Sequence, residues 1–220
     1  MVGSKDEARK ITRCWARVAA CVMVGVGCFL VLARTVHARI AFVSLLDDPS
    51  GDIYTISADG TGLSRLTLSL GIDREPIWSP DGSTLAYASH SAVDRYGSIY
   101  VIGADGHGRR RLSSQETPHP RNLAWSPDGS TIAMTRSGIQ LLNTADGAVV
   151  SLPTVDDKDH INPSIHANGL AWGPDGSQIA FSAGSRLHTD DLATGEESLL
   201  TTVDGDIDDP EWSPDGESIV

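Results

Sequence analysis

The stretch Trp78-Ser79-Pro80-Asp81-Gly82-Ser83 recurs in four similar copies along this sequence and predicts its fold. The other copies are Trp125-Ser126-Pro127-Asp128-Gly129-Ser130, Trp172-Gly173-Pro174-Asp175-Gly176-Ser177 and Trp212-Ser213-Pro214-Asp215-Gly216-Glu217. Their tryptophans are 47, 47 and 40 residues apart. Recurrence at a period of roughly 20–50 residues is typical of repeat architectures, in which every copy builds one supersecondary unit.

Each copy combines residue types that favour a tight turn between two β-strands. Pro80 presets φ for the first corner, Asp81 can bond the nearby backbone, and Gly82 accepts the positive φ that follows. Trp78 ends the strand before the turn, and an apolar strand follows it, so a β-hairpin is expected. The same structural role is predicted for Trp125, Pro127, Asp128, Gly129, Trp172, Pro174, Asp175, Gly176, Trp212, Pro214, Asp215 and Gly216.

Three more strands are predicted after each tryptophan strand. The second is Leu85-Ala86-Tyr87, Ile132-Ala133-Met134 or Ile179-Ala180-Phe181, and Ile40-Ala41-Phe42 is the same element without its turn. The third lies at 53–56, 99–102, 139–142 and 187–189, and the fourth at 64–67, 110–113, 149–152 and 198–201. Four antiparallel strands in a period of about 40–45 residues are typical of a propeller blade. We therefore predict an all-β fold, a β-propeller of four-stranded antiparallel blades.

The strand count predicts about four blades and leaves their closure open. The first unit lacks its tryptophan strand, and residues 210–213 form a final one. That final strand could complete the first blade and close a four-bladed ring, or it could begin a further blade. Ile219 and Val220 lie inside a motif that continues in the other copies. Because terminal repeats are usually adapted as caps, we expect an incomplete part of a larger propeller.

Residues 1–38 differ in kind from the repeats at 39–220, and we predict a domain boundary between them. Five basic residues lie within positions 1–17, and 18–33 carry no charge, before a Val36-His37-Ala38 end. A basic start, an apolar helix and small residues near a possible cleavage site are typical of a signal peptide. An uncleaved membrane anchor fits as well. Either alternative places the repeats in the periplasm or elsewhere outside the cytoplasm, and all three cysteines lie in this leader.

Charge separates the two parts and excludes some partners. Residues 39–220 contain 11 Lys and Arg against 27 Asp and Glu, a formal net charge of −16. Such an acidic surface argues against nucleic acid and anionic lipid, so any membrane contact is expected only through the N-terminal segment. The basic run Arg109-Arg110-Arg111 is interpreted as protection of an outer strand edge.

The loops between repeats are the expected binding region. In a propeller, the connections between blades share one face with the loops between second and third strands, which we call the loop face. The tryptophan turns lie on the opposite face, here the turn face. Binding residues are commonly found on variable loops. The candidates for partner contact are Asp73, Arg74, His119, Arg121, Asp159, His160 and His166.

Metal binding and catalysis receive little support. Asp204, Asp206 and Asp208 alternate as in a calcium loop, but Asp209 replaces the glycine expected sixth, so a solvated acidic loop is favoured. His160 and His166 lack the spacing typical of zinc ligands. No G-x-S-x-G, phosphate-binding or zinc-protease motif occurs. We therefore predict a protein that is not an enzyme and has no cofactor.

The repeat resembles the TolB-like propeller repeat over residues 39–220, most closely at Trp78 to Gly82, Ile99-Tyr100 and Arg111-Leu112-Ser113. The resemblance implies an exported, non-enzymatic module that binds a protein or peptide partner in the cell envelope. The same repeat also forms the propeller of prolyl-oligopeptidase-like serine peptidases, whose catalytic domain would lie outside this chain. A third possibility is a membrane-anchored extracytoplasmic sensor. Fold alone does not choose among these functions.

Overall fold

A computed structural model describes residues 39–46, 50–68, 71–90, 97–113, 120–135, 138–152 and 167–220. They belong to one compact unit, His37–Val220. The predicted leader, with its apolar helix, its cleavage site and its boundary at residue 38, lies outside the described residues. Within the described ranges, no helix has the length and apolar character needed to cross a membrane.

The described residues form fifteen β-strands in four antiparallel sheets, each sheet following chain order. The first sheet contains β1 (Arg39–Ser44), β2 (Asp52–Ser57) and β3 (Ser64–Arg65). The second contains β4 (Ile72–Trp78), β5 (Thr84–His90), β6 (Ser98–Gly103) and β7 (Arg110–Arg111). The third contains β8 (Arg121–Trp125), β9 (Thr131–Thr135), β10 (Ile139–Asn143) and β11 (Val149–Ser151), and the fourth β12 (Ala167–Trp172), β13 (Gln178–Ala183), β14 (Arg186–Asp191) and β15 (Glu196–Thr202). The predicted blades are confirmed, and the first lacks its tryptophan strand.

The last tryptophan strand pairs with the residues that follow it. Trp212 bridges Ile219, and the backbone N–H groups of Glu211 and Val220 donate to each other's carbonyl oxygens at 3.0 and 2.9 Å. This is the pairing that Trp78 makes with Leu85 in the second sheet. The hairpin therefore has the geometry of the start of another sheet, which is the second of the two alternatives for residues 210–213.

The turn residues bond as their types predict. In the first copy, Ser79 Oγ donates to Asp81 Oδ1 at 2.6 Å and accepts the backbone N–H of Thr84 at 3.0 Å. The Ser83 N–H donates to the same carboxylate oxygen at 3.0 Å, and Gly82 has φ 66°. The second and fourth copies repeat the serine–aspartate bond at 2.6 Å. The Ser-Pro-Asp-Gly sequence thus satisfies its own polar groups and closes each hairpin.

Consecutive sheets share apolar layers. Ile132, Met134 and Leu142 of the third sheet pack with Ile99 and Val101 of the second. Similar layers join the first sheet to the second and the third to the fourth. Between tryptophan strands, the indole adds a directional link: Trp125 Nε1 donates to Ile77 O at 3.3 Å, and Trp172 Nε1 donates to Ala124 O at 3.0 Å.

The first sheet shows what happens when the tryptophan strand is missing. Leu85, Ile132 and Ile179 lie opposite a tryptophan and are 0% exposed. Ile40 is the equivalent residue of β1, where no such strand pairs among the described residues, and it is 54% exposed. The buried Nε1 of Trp78 has no hydrogen-bond partner among the described residues, and the same is true of Trp212.

Three tryptophan strands contain a bulge near their start. The pairing register shifts between Arg74 and Ile77 in β4, between Arg121 and Ala124 in β8, and between Ala167 and Gly169 in β12. Within the first two bulges, Glu75 and Asn122 have φ 54° and 50°, which is unusual for residues other than glycine. Bulges bend a strand and redirect its side chains, often beside functional sites.

Candidate functional site

A cavity of about 300 Å³ lies between the second and third sheets at the bulged ends of β4 and β8. This end of the strands carries the connections between sheets, so the cavity lies on the loop face. Its lining residues are Ile72, Arg74, Glu75, Ala88, Ser89, His90, Gly97, Pro120 and Arg121. Ligand pockets typically measure about 300–1,000 Å³. The cavity is therefore large enough to hold a side-chain anchor of a larger partner.

Arg74 and Arg121 are the two predicted contact residues that the structure brings together at this cavity. Each lies four residues before its tryptophan, at the first position of its bulge. Both are exposed, and neither guanidinium forms a hydrogen bond or an ion pair with the rest of the described chain. Two guanidinium groups whose N–H donors no other described residue accepts are suited to planar anionic groups such as carboxylates.

Glu75 connects the two sheets beside the arginines. Its carboxylate accepts hydrogen bonds from the backbone N–H groups of Asn122 and Leu123. Those N–H groups belong to the β8 bulge, where the pairing with β9 is interrupted. Glu75 Oε2 is buried and has no hydrogen-bond partner among the described residues. Burial raises the pKa of Glu75 above its ordinary value, although the two N–H donors and the charge of Arg121 act in the opposite direction.

Asp73 contributes to the framework around the cavity. It is 0% exposed, and its carboxylate accepts a hydrogen bond from Ser89 Oγ at 2.6 Å. Its backbone N–H donates to Gly51 O at 3.2 Å and so connects β4 to the first sheet. Asp73 was predicted as a contact residue, but in this position it holds β4 and β5 in place without presenting surface.

The remaining candidates from the sequence are four contact residues and the three aspartates of a possible calcium loop. His119, Asp159, His160 and His166 lie outside the described residues. Asp204, Asp206 and Asp208 lie exposed in the segment after β15. Across the described ranges, no group of three or more His, Cys, Asp or Glu side chains is arranged to hold a metal ion. Calcium binding by these aspartates was the less favoured interpretation of the sequence, and no cluster among the described residues supports it.

The turn face differs from the loop face in its chemistry. A groove there is lined by the turns at Ser79–Thr84 and Pro127–Gly129, together with Arg110 and Thr144. Hydrogen bonds from Ser79 and Ser83 hold the pKa of Asp81 below its ordinary value, and Ser126 and Ser130 do the same for Asp128. Arg110 Nη2 donates to Thr144 O at 3.3 Å. The serine, aspartate and arginine side chains that line this groove are thus bonded within the protein.

Arg109, the first residue of the basic run, has a structural role. Arg109 Nε donates to the hydroxyl of Tyr87 at 2.7 Å, and its guanidinium lies 4.0 Å from the centroid of the Tyr100 ring. Burial raises the pKa of Tyr87 to about 12, so this hydroxyl stays protonated. Arg109 therefore stabilises the second sheet, and the cation–π contact explains the arginine there.

Successive antiparallel sheets in chain order, three of them with four strands and a tryptophan turn between the first two, are typical of a β-propeller. The sequence model of the TolB beta propeller domain matches residues 37–184, and the chain belongs to that family. The Tol-Pal system protein TolB of Desulfosudis oleivorans is 43% identical over 54 residues, which is 24% of this chain and 12% of that protein.

Two solved structures share the fold at lower identity. The crystal structure of TolB from Acinetobacter baumannii has a TM-score of 0.66 and 23% identity, covering 82% of this chain and 46% of that one. An oligogalacturonate lyase from Vibrio parahaemolyticus has a TM-score of 0.54 and 15% identity, covering 77% and 50%. The chain thus spans about half the length of the solved relatives and less of the curated one.

Glu75 is the site residue that sequence reasoning did not single out. In the sequence, Glu75 is only the third residue of the charged stretch Asp73-Arg74-Glu75 in a loop between repeats. The copies have Glu75, Asn122, Gly169 and Asp209 at the position three residues before tryptophan, so no residue type recurs there. The bulge is a feature of backbone conformation and strand pairing, and no recurring residue type in the sequence predicts it. The recurrence of Arg74 and Arg121 four residues before tryptophan was the available signal.

Proposed function

We propose that this chain is an exported, non-enzymatic propeller that binds a protein or peptide partner of the cell envelope through its loop face. The observation that carries the proposal is the contrast between the two faces. On the loop face, a cavity is lined by Arg74 and Arg121, whose guanidinium groups form no hydrogen bond or close ion pair with other described residues, although both act electrostatically on Glu75. On the turn face, Ser79 and Asp81 bond to each other, and Arg110 bonds Thr144.

Membership of the TolB propeller family supports a binding role in the envelope. The curated relative is a component of a Tol-Pal system, and a partner of the same kind, an envelope lipoprotein or peptidoglycan-associated protein, is proposed here. The predicted leader supports export to the periplasm, with the N-terminal segment either removed or retained as an anchor. The lyase with the same fold shows that fold alone does not decide between binding and catalysis.

The side chains around the cavity favour binding over acyl-transfer chemistry. The hydroxyl of Ser89 donates to the buried Asp73, so it is not paired with an imidazole base. The Glu75 carboxylate is held by backbone N–H groups of the next sheet. Nucleophilic catalysis needs a hydroxyl or thiol within reach of a general base. The described cavity residues do not supply that pair, and they do supply two arginines for recognition.

Site-specific photo-crosslinking in the host cell tests the proposal. A photo-reactive amino acid replaces Arg74 or Arg121 in one set of variants and the exposed turn residues Ser83 or Ser130 in a control set. We expect adducts with an envelope protein from the loop-face positions, and few or none from the turn-face positions. Adducts confined to Ser83 and Ser130, or equal yields from both faces, contradict the proposal.

A further inference from the structure

We infer that the cavity between β4 and β8 binds the side-chain carboxylate of an acidic segment in a partner protein, with Arg74 and Arg121 as its ligands. This inference rests on the proposed function, since it assumes that the partner docks on the loop face. It adds the chemistry of the contact and the two residues that recognise it.

The first argument is the local charge. Residues 39–220 have a formal net charge of −16, so a negatively charged partner is repelled by most of the surface. At the cavity, Arg74 and Arg121 place two positive charges beside one opening against the single carboxylate of Glu75, and His90 lines the same space. An acidic segment would therefore bind at this position in preference to the surrounding acidic surface. Repulsion from the surrounding acidic surface therefore helps to fix the position of the segment and the specificity of its binding.

The second argument is the unused bonding capacity of the two arginines. Arg39 bonds Ala104 O, Arg65 bonds Asp52, and Arg109 bonds Tyr87. Arg74 and Arg121 form no such bond within the described chain and remain exposed. Guanidinium groups match a carboxylate with two parallel N–H donors, an arrangement that gives directional recognition. The N–H donors of Arg74 and Arg121, which no described residue accepts, therefore favour a carboxylate as the ligand group.

The third argument selects a carboxylate attached to a peptide over a multiply charged ion. The Glu75 carboxylate lines the same cavity. Its negative charge repels a multiply charged anion more strongly than it repels a single carboxylate. Ile72, Ala88 and Pro120 line the cavity as well and favour contact with the methylene groups of an Asp or Glu side chain. A volume of about 300 Å³ suits such an anchor.

The backbone gives a fourth, independent indication. Glu75 and Asn122 have φ 54° and 50°, a left-handed conformation that is unfavourable for residues with a Cβ. Both lie next to the proposed ligands, directly after Arg74 and Arg121. Residues held in sparsely populated conformations cluster at binding sites, where the surrounding structure fixes them. Here the Glu75 carboxylate fixes the two bulges to each other through Asn122 and Leu123. The spacing of the two arginines is therefore set before a partner binds.

Selection from a library of random short peptides displayed on phage tests the inference on the full chain. We expect the selected peptides to be enriched in Asp and Glu. Recovery should fall on the order of tenfold or more with the variant Arg74→Gln/Arg121→Gln, as for loss of a charge-assisted hydrogen bond. The matched control is Arg110→Gln, which removes an exposed cation from the turn face and should leave recovery unchanged. An Arg74→Lys/Arg121→Lys variant should keep part of the binding, since the charge remains without the fork.

The outcomes separate this inference from the proposed function. Peptides that bind through the loop face without enrichment in Asp or Glu overturn the carboxylate assignment and leave the proposed function standing. If Arg110→Gln lowers peptide recovery as much as Arg74→Gln/Arg121→Gln does, the assignment of binding to the loop-face cavity is overturned. Absence of any selected peptide also overturns the inference, while the crosslinking yields decide the proposed function separately. Unchanged thermal midpoints of the glutamine variants show that loss of binding is not loss of fold.

Discussion

The indole Nε1 of Trp172 donates a hydrogen bond to the carbonyl oxygen of Ala124 at 3.0 Å, and so joins the fourth sheet to the third. Trp125 makes the equivalent bond to Ile77. The two bonds link tryptophan strands that are 48 residues apart between donor and acceptor. Trp125 and Trp172 therefore have two roles, since each packs at the end of a hairpin and also connects consecutive sheets.

The first prediction concerns this connection. Replacing Trp172 by Phe removes an N–H donor that forms a hydrogen bond, together with part of the ring. Trp78→Phe makes the same change at an Nε1 that has no partner among the described residues. A net hydrogen bond contributes about 0.5–1.5 kcal/mol. We expect Trp172→Phe to lower the free energy of unfolding by about that much more than Trp78→Phe does. Urea denaturation of both variants measures the difference, and equal losses contradict the role of the bond.

The second prediction concerns the third turn, in which Gly173 departs from the repeat. Gly173 replaces the serine whose hydroxyl bonds the aspartate in the other copies, and a Cβ there would lie at ordinary contact distance, 3.4 Å from Gln178 O. The substitution Gly173→Ala should stabilise by about 0.4–1 kcal/mol through the unfolded chain. Gly173→Ser should stabilise further, because Asp175 Oδ1 lies 3.5 Å from that Cβ. Thermal unfolding compares the two variants, and a serine no better than alanine contradicts the proposed hydrogen bond.

The third prediction uses equivalent residues of two sheets. Ile132 is 0% exposed opposite Trp125, whereas Ile40 is 54% exposed on β1. Truncation of a buried isoleucine to alanine typically costs about 2–5 kcal/mol, and surface substitutions remain within about 0.5 kcal/mol. We expect Ile132→Ala to reach the first range and Ile40→Ala the second. A loss at Ile40 as large as at Ile132 would show that a further strand covers β1 in solution.

The fourth prediction concerns a buried carboxyl in the fourth sheet. Burial, together with the charge of Glu197 opposite it, raises the pKa of Asp190 to about 6. His188 lies two residues away, and its Nδ1 is 2.8 Å from Glu197 Oε1. Because the folded state binds this proton more tightly, the contribution of Asp190 is present below an unfolded pKa of about 3.9 and is lost as pH rises through about 6.

The variant Asp190→Asn tests that sign. It should be more stable than the unchanged chain near pH 8, by a few kcal/mol at most, since one pKa unit corresponds to about 1.4 kcal/mol. Near pH 4 the advantage should largely disappear, because Asp190 is then protonated in the folded state and about half protonated in the unfolded chain. Urea denaturation at both pH values gives the two differences. An advantage that is independent of pH contradicts the assigned titration.

The sequence predicts the framework of this fold well because its turns are local. The bonds among Ser79, Asp81 and Ser83 lie within five residues, so the residue types alone indicate them. The missing tryptophan strand of the first sheet is likewise visible in the sequence, since the Ile40 strand has no tryptophan turn before it. The site is different, because Glu75 contacts the backbone of Asn122 in another sheet and no local pattern encodes that contact. Burial of Asp73 likewise depends on packing against the first sheet.

The central claim is that a partner binds over the loop-face cavity between β4 and β8. Arginine footprinting tests it most directly: the full chain is treated with phenylglyoxal, alone or with an envelope extract of the host, and modification is read residue by residue by mass spectrometry. We predict that the extract protects Arg74 and Arg121 and leaves Arg110 reactive. Protection of Arg110 with Arg74 and Arg121 unchanged would contradict the account.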